Sequence, residues 1–131
     1  MELDQILQIG MQARGTFLVQ ESDSASHVGS GSLRLLATPS MIAFIEQTAR
    51  QFIDRMLPEG YTSVGIRVDI RHLAATPVGG NLATLCEVIA IDGSKVGFRV
   101  QVWDDVELVG EGTHQRAVIA IDRFMRRLME K

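Results

Sequence analysis

The chain has 131 residues, a net charge of −3 and 46% hydrophobic residues, which is the size and balance of one ordinary globular domain spanning residues 1–131. That charge gives no support to nucleic-acid or membrane-surface binding. The lone cysteine excludes an internal disulfide, and no Cys/His spacing resembles a metal site.

The start, "MELDQILQIGMQARG", is acidic and lacks the apolar run of a signal peptide. No segment has the length of a membrane span, so a cytoplasmic protein is expected. "GTFLVQ", Gly15 to Gln20, predicts a first strand, and the polar, glycine-rich "ESDSASHVGSGS" a loop. A long helix is expected from "ATP", with Thr38 as N-cap and Pro39 in the first turn. It should stop before "LPEG", at Pro58 and Gly60.

On a helical wheel Met41, Ile42, Ile45, Ala49, Phe52, Ile53 and Met56 gather on one side. Glu46 falls among them, a carboxylate on the side that faces a core. An ion pair with Arg50, four residues on, would account for it structurally.

Beyond the helix the period becomes two. In "SVGIRVDIRH" Val64, Ile66, Val68, Ile70 and His72 should share an inner face, with Arg67, Asp69 and Arg71 opposite. "LATLCEVIAI" is the next strand, Asp92-Gly93 a hairpin turn, and "SKVGFRVQVW" the returning strand, with Val96, Phe98, Val100 and Val102 inward. In "GEGTHQRAVI" Gly110, Gly112 and Thr113 point to a bulge or a close backbone approach. Thr113 and Gln115 should face one way, His114 and Arg116 the other. Arg116 is either a surface residue or a cation for a phosphate or carboxylate. "DRFMRRLMEK" suggests a short amphipathic helix, with Arg123, Arg126 and Arg127 either its wet face or a contact for the phosphates of a nucleotide-like ligand.

One strand, one long helix and four successive strands make an α+β domain with a largely antiparallel sheet. The helix should cover one face of it, and long edges would call for pairing, most simply in a dimer. A carboxylate on the helix and an imidazole on the inner sheet face could then meet in a shielded place. Such a pair suits acid–base or nucleophilic chemistry, with Thr38 at the positive end of the helix.

"LATPSMIAFIEQTA", "VGIRVDIRHLAATPVG" and "GEGTHQRAVI" together resemble the hotdog-fold acyl-CoA thioesterases, in the branch related to fluoroacetyl-CoA thioesterase. The resemblance implies an antiparallel β-sheet wrapped around one long central helix. It also implies hydrolysis of an acyl-CoA thioester to a carboxylic acid and free CoA. It assigns a catalytic set to Thr38, Glu46 and His72, with a backbone glycine near the thioester carbonyl at Gly65 and a substrate-lining arginine at Arg116. It implies no metal and no cofactor beyond the CoA of the substrate, and a homodimer, or a higher assembly built from it, with sites near the interface. In the fluoroacetyl-specific enzyme the segment before the threonine is longer and carries phenylalanines forming a lid. "SHVGSGSLRLLATP" is shorter and has none, so selectivity for fluoroacetyl is not implied and the acyl group is open. A hotdog module that binds acyl-CoA without turning it over is the alternative.

Overall fold

The computed structural model describes all residues, Met1–Lys131. Strand β1 runs Gln12–Leu18, followed by a 3-10 turn at Glu21–Asp23 and a short helix α1, Ala25–Val28. The long helix α2 spans Thr38–Met56, then β2 Tyr61–His72, β3 Asn81–Asp92, β4 Lys95–Trp103, β5 Leu108–Ala120 and helix α3 Ile121–Met129. No helix is long and apolar enough to cross a membrane.

All four strand pairings are antiparallel and give the sheet order β1-β3-β4-β5-β2. Strands β3, β4 and β5 form a meander, while β2 crosses over to the far edge. The fold is therefore α+β, with α2 packed against one face of a five-stranded sheet. The first strand lies about three residues earlier than the sequence suggests. The expected loop after it is partly ordered, because the Ser24 hydroxyl accepts from His27 N and caps α1, and Gly29 ends it at a φ of 90°.

The helix buries Met41, Ile45, Ala49 and Ile53, a stripe of i and i+4 positions. It lies over Leu82, Cys86, Val88, Val96, Phe98, Val100 and Val102 from the inner faces of β3 and β4, all in one core cluster. Each large apolar side chain so enclosed contributes about 1.5–3 kcal/mol. Cys86 sits beneath Ile45, and burial pushes its thiol up to about 12, so it is a packing residue rather than a nucleophile.

Strand β2 departs from simple alternation. Gly65 pairs with Arg116 but Arg67 pairs with Gln115, leaving Ile66 as the extra residue of a β-bulge. A bulge reverses the parity of everything beyond it. Ser63 and Gly65 before it, and Val68, Ile70 and His72 after it, therefore share the inner face. Val64, grouped by the alternation with Val68, lies on the other.

Candidate active site

The inner face of β5 carries Gly110, Gly112, His114 and Arg116, as the alternation predicts. Gly110 is where Met41 presses in, since a Cβ there would lie 2.5 Å from the Met41 sulfur. Gly112, at a φ of 153°, lies against the Asp69 carbonyl, which a Cβ would strike. These are the close approaches that the small residues of "GEGTHQRAVI" indicated.

Thr38 is not the N-cap. Ala37 holds that position without a side-chain cap, and Thr38 and Pro39 are the first two helical residues. The Thr38 hydroxyl, relieved of capping, lies 2.8 Å from His72 Nδ1. Around this pair Leu35, Leu73, Ala74 and Ala75 line an open depression of about 360 Å³. His72 Nε2 is buried with no hydrogen-bond partner. Burial holds the His72 ring below its ordinary value, and the nearby backbone of Ala74 opposes this without closing a hydrogen bond on Nε2.

Glu46 makes no pair with Arg50, whose guanidinium bonds Asp54 at 2.8 Å. Its partner is Arg116, with Nη1 at 3.3 Å from Oε2. The two differ in access: the Glu46 side chain is 41% exposed and that of Arg116 only 5%. Arg116 is anchored on every side by the protein, with Nε donating to Ser63 Oγ at 2.8 Å and Nη2 to Ser63 O at 3.1 Å. Nη1 also donates to His114 Nε2 at 3.2 Å. Arg116 therefore stands behind Glu46 rather than as a free cation at an opening. Burial draws it below its ordinary value, countered by the Glu46 carboxylate.

Gly65 lies directly in front of this carboxylate, and a Cβ on Gly65 would overlap Glu46 Oε2. The obstructing atom is the end of a flexible side chain, so Gly65→Ala is expected to displace the carboxylate rather than unfold the protein. A melting temperature within a few degrees of wild type, with kcat for the hydrolysis that the sequence resemblance implies lowered about 10–100-fold, is the expected result. Unchanged turnover would remove Gly65 from the site.

The predicted residues thus fall into two clusters. Thr38 and His72 meet at one end of α2, and Glu46, Gly65 and Arg116 meet along its side. Glu46 comes eight residues after Thr38, about 12 Å along a helix. From Gly65 to His72 is seven residues of strand, on the order of 20 Å. Within one chain the carboxylate and the imidazole do not meet, contrary to what the stacking of helix on sheet suggested.

His114 and Ser63, the anchors of Arg116, were missed as site residues. His114 was visible as the inward neighbour of Arg116 on β5, whereas Ser63 becomes inward-facing beside Gly65 only through the bulge. The buried His114 and the half-buried His72 both carry a stability consequence. Burial is the leading reason that each ring lies below 6.5, so the unfolded chain takes up protons more readily. The contribution of the neutral rings is full above 6.5 and is lost as pH falls towards their lowered folded values. Urea midpoints measured at about pH 7.5 and about pH 5.5 should fall on acidification; equal midpoints would contradict rings held neutral by the fold.

Residues 19–122 match the family model described as fluoroacetyl-CoA-specific thioesterase. A fluoroacetyl-CoA thioesterase of Streptantibioticus cattleyicolor is 31% identical over 97 residues, covering 74% of this chain and 70% of that protein. A solved structure of a fluoroacetyl-CoA thioesterase superposes with a TM-score of 0.89 at 26% identity, covering 95% of this chain and 97% of the other. A hot-dog-like protein from Thermanaerovibrio acidaminovorans superposes with a TM-score of 0.91 at 25% identity, covering 99% of this chain and 96% of the other.

Proposed function

The chain belongs to the fluoroacetyl-CoA-specific thioesterase family, and from that membership we propose that it is an acyl-CoA thioesterase whose active site is completed across a homodimer. The observation that carries the second half is the separation of Thr38–His72 from Glu46–Gly65–Arg116 within one chain. Both clusters border β2, one of the two edge strands of the sheet. Ile66 and Val68 on that strand are 45% and 37% exposed, and a long apolar edge is a liability unless paired.

Two β2 edges joined antiparallel about a two-fold axis near Val68 set the Gly65 end of one beside the His72 end of the other. The same pairing sets Arg67 opposite Asp69, a favourable cross-strand combination. Each pocket then takes Thr38 and His72 from one protomer and Glu46, Gly65 and Arg116 from its partner.

The reaction follows from these groups. The thioester carbonyl lies against the Gly65 backbone and the N-terminus of α2, which stabilise the oxyanion. Glu46 takes a proton from water as its oxygen bonds to the carbonyl carbon. On collapse of the tetrahedral intermediate the C–S bond breaks. The proton that Glu46 took from water passes to the departing CoA sulfur and restores the carboxylate, while the Thr38–His72 pair, joined at 2.8 Å through Nδ1, borders the leaving thiolate. The chemistry draws on protein groups and water, with CoA entering only as part of the substrate.

Before Thr38 the segment "VGSGSL" contains no aromatic residue and Leu33 is largely exposed, which leaves the depression at Thr38 open. The proposed substrate is therefore an acyl-CoA other than fluoroacetyl-CoA. Release of free thiol from short, branched, aromatic and long acyl-CoAs tests the activity, and light scattering tests the dimer. Turnover of none of them, with saturable acyl-CoA binding, would mark a ligand-holding module instead.

A further inference from the structure

His114 is 1% exposed, lies in the middle of β5, and belongs to neither cluster assigned above. Its ring is parallel-stacked near Phe98, with centroids 6.4 Å apart and 22° between planes. Both ring nitrogens are bonded: Nδ1 is 2.8 Å from the carbonyl oxygen of Arg67, and Nε2 is 3.2 Å from Arg116 Nη1.

These two contacts determine the protonation state. A carbonyl oxygen only accepts, so Nδ1 carries the hydrogen; a guanidinium only donates, so Nε2 presents its lone pair. A doubly protonated ring would turn an N–H against the N–H of Arg116 in a buried place. Burial favours the same neutral form, and the Arg116 charge adds to it, against the opposing influences of the Arg67 carbonyl and Glu46.

The Arg67 carbonyl belongs to the first residue past the Ile66 bulge. A continuous line of donors and acceptors therefore runs from the bulge, through His114 and Arg116 Nη1, to Glu46 Oε2. Ser63 holds Nε and Nη2 of Arg116, and His114 is the one acceptor besides Glu46 on the third nitrogen, the one that meets the carboxylate. We propose that His114 is a positioning residue for hydrolysis, its Nε2 holding Arg116 Nη1 in register with Glu46 and so setting where that carboxylate stands before Gly65. The proposal rests on the reading of Glu46 as the base.

His114→Phe keeps a ring against Phe98 and removes both nitrogens. His114→Gln restores an acceptor at the distance of Nε2, whereas His114→Asn reaches only as far as Nδ1 did. The expected result is a kcat lowered about 10–100-fold by Phe and by Asn, a KM within about twofold, and recovery of most of the loss with Gln. If the Phe variant does not fold, the comparison of Gln with Asn decides: equal kcat values at equal melting temperature would overturn the proposal. In a Glu46→Gln background the Phe substitution should add no further loss, because His114 acts through Glu46; a full additional loss would overturn it as well.

A separate readout depends on no turnover. In 15N spectra of the intact protein, the Arg116 Nη protons should be resolved as slowly rotating signals in the wild type and the Gln variant, and averaged in the Phe and Asn variants. Resolved signals in all four would overturn the hold on Arg116. If those signals behave as expected but Glu46→Gln keeps full activity, the fault lies with the assignment of the base and the positioning role falls with it.

Discussion

Glu46→Gln is expected to lower kcat for thioester hydrolysis by about 10²–10⁴-fold, the range lost when a general base is removed, while the protein stays folded. Gln is the informative substitution because of what stands behind Glu46. Arg116 is buried and cannot discard its charge, so Glu46→Ala would leave one of its nitrogens facing nothing and mix lost catalysis with lost stability. The Gln amide oxygen still accepts from Arg116 Nη1, and Ser63 and His114 keep their bonds. The remaining cost, that of exchanging a charged acceptor for a neutral one, is about 1–2 kcal/mol. Thiol-release kinetics and thermal melts on the same samples check both halves. A folded Glu46→Gln protein with wild-type kcat would make the Arg116 pair a purely structural contact and leave the reaction without its base.

The sheet and the central helix were legible because burial here is periodic. Val96, Phe98, Val100 and Val102 alternate without interruption, and Met41, Ile45, Ala49 and Ile53 recur every four residues, each set buried as its period requires. What was not legible follows from events that leave no mark on composition. The bulge at Ile66 inserts one residue into a strand whose alternation looks continuous, and so moves Val64 to the outer face and Gly65 to the inner one. Thr38 reads as a cap because it precedes a proline, yet the helix starts one residue earlier than that pattern implies, and its hydroxyl turns to His72. Glu46 has a cation at the favoured helical spacing, but Arg50 takes Asp54, and the partner that Glu46 does take is seventy residues away in sequence. Local spacing identifies candidates for pairing; tertiary contact decides between them. The resemblance to acyl-CoA thioesterases assigns a catalytic set to Thr38, Glu46 and His72, but a set named along a sequence carries no statement of which chain supplies each member.

Mixing two inactive variants is the experiment on which that question turns. His72→Ala and Glu46→Gln homodimers should each be nearly inactive, and co-expression of the two chains should restore activity on the order of a quarter of the wild-type level. The figure follows from symmetry: random assortment makes about half of the dimers mixed, and each mixed dimer holds one site built from two intact contributions and one built from two defective ones. Here His72 of the Glu46→Gln chain works with Glu46 of the His72→Ala chain. A site made within a single chain gives no recovery at any mixing ratio, since every chain carries one lesion. The geometry favours recovery, because a carboxylate about 12 Å further along the helix than Thr38 cannot serve a carbonyl held at Thr38 and His72 of the same protomer. Absence of recovery in samples shown to contain mixed dimers would therefore do more than relocate a subunit boundary. It would separate Glu46 from the Thr38–His72 pair altogether, and one of the two clusters would have to be reassigned from chemistry to structure.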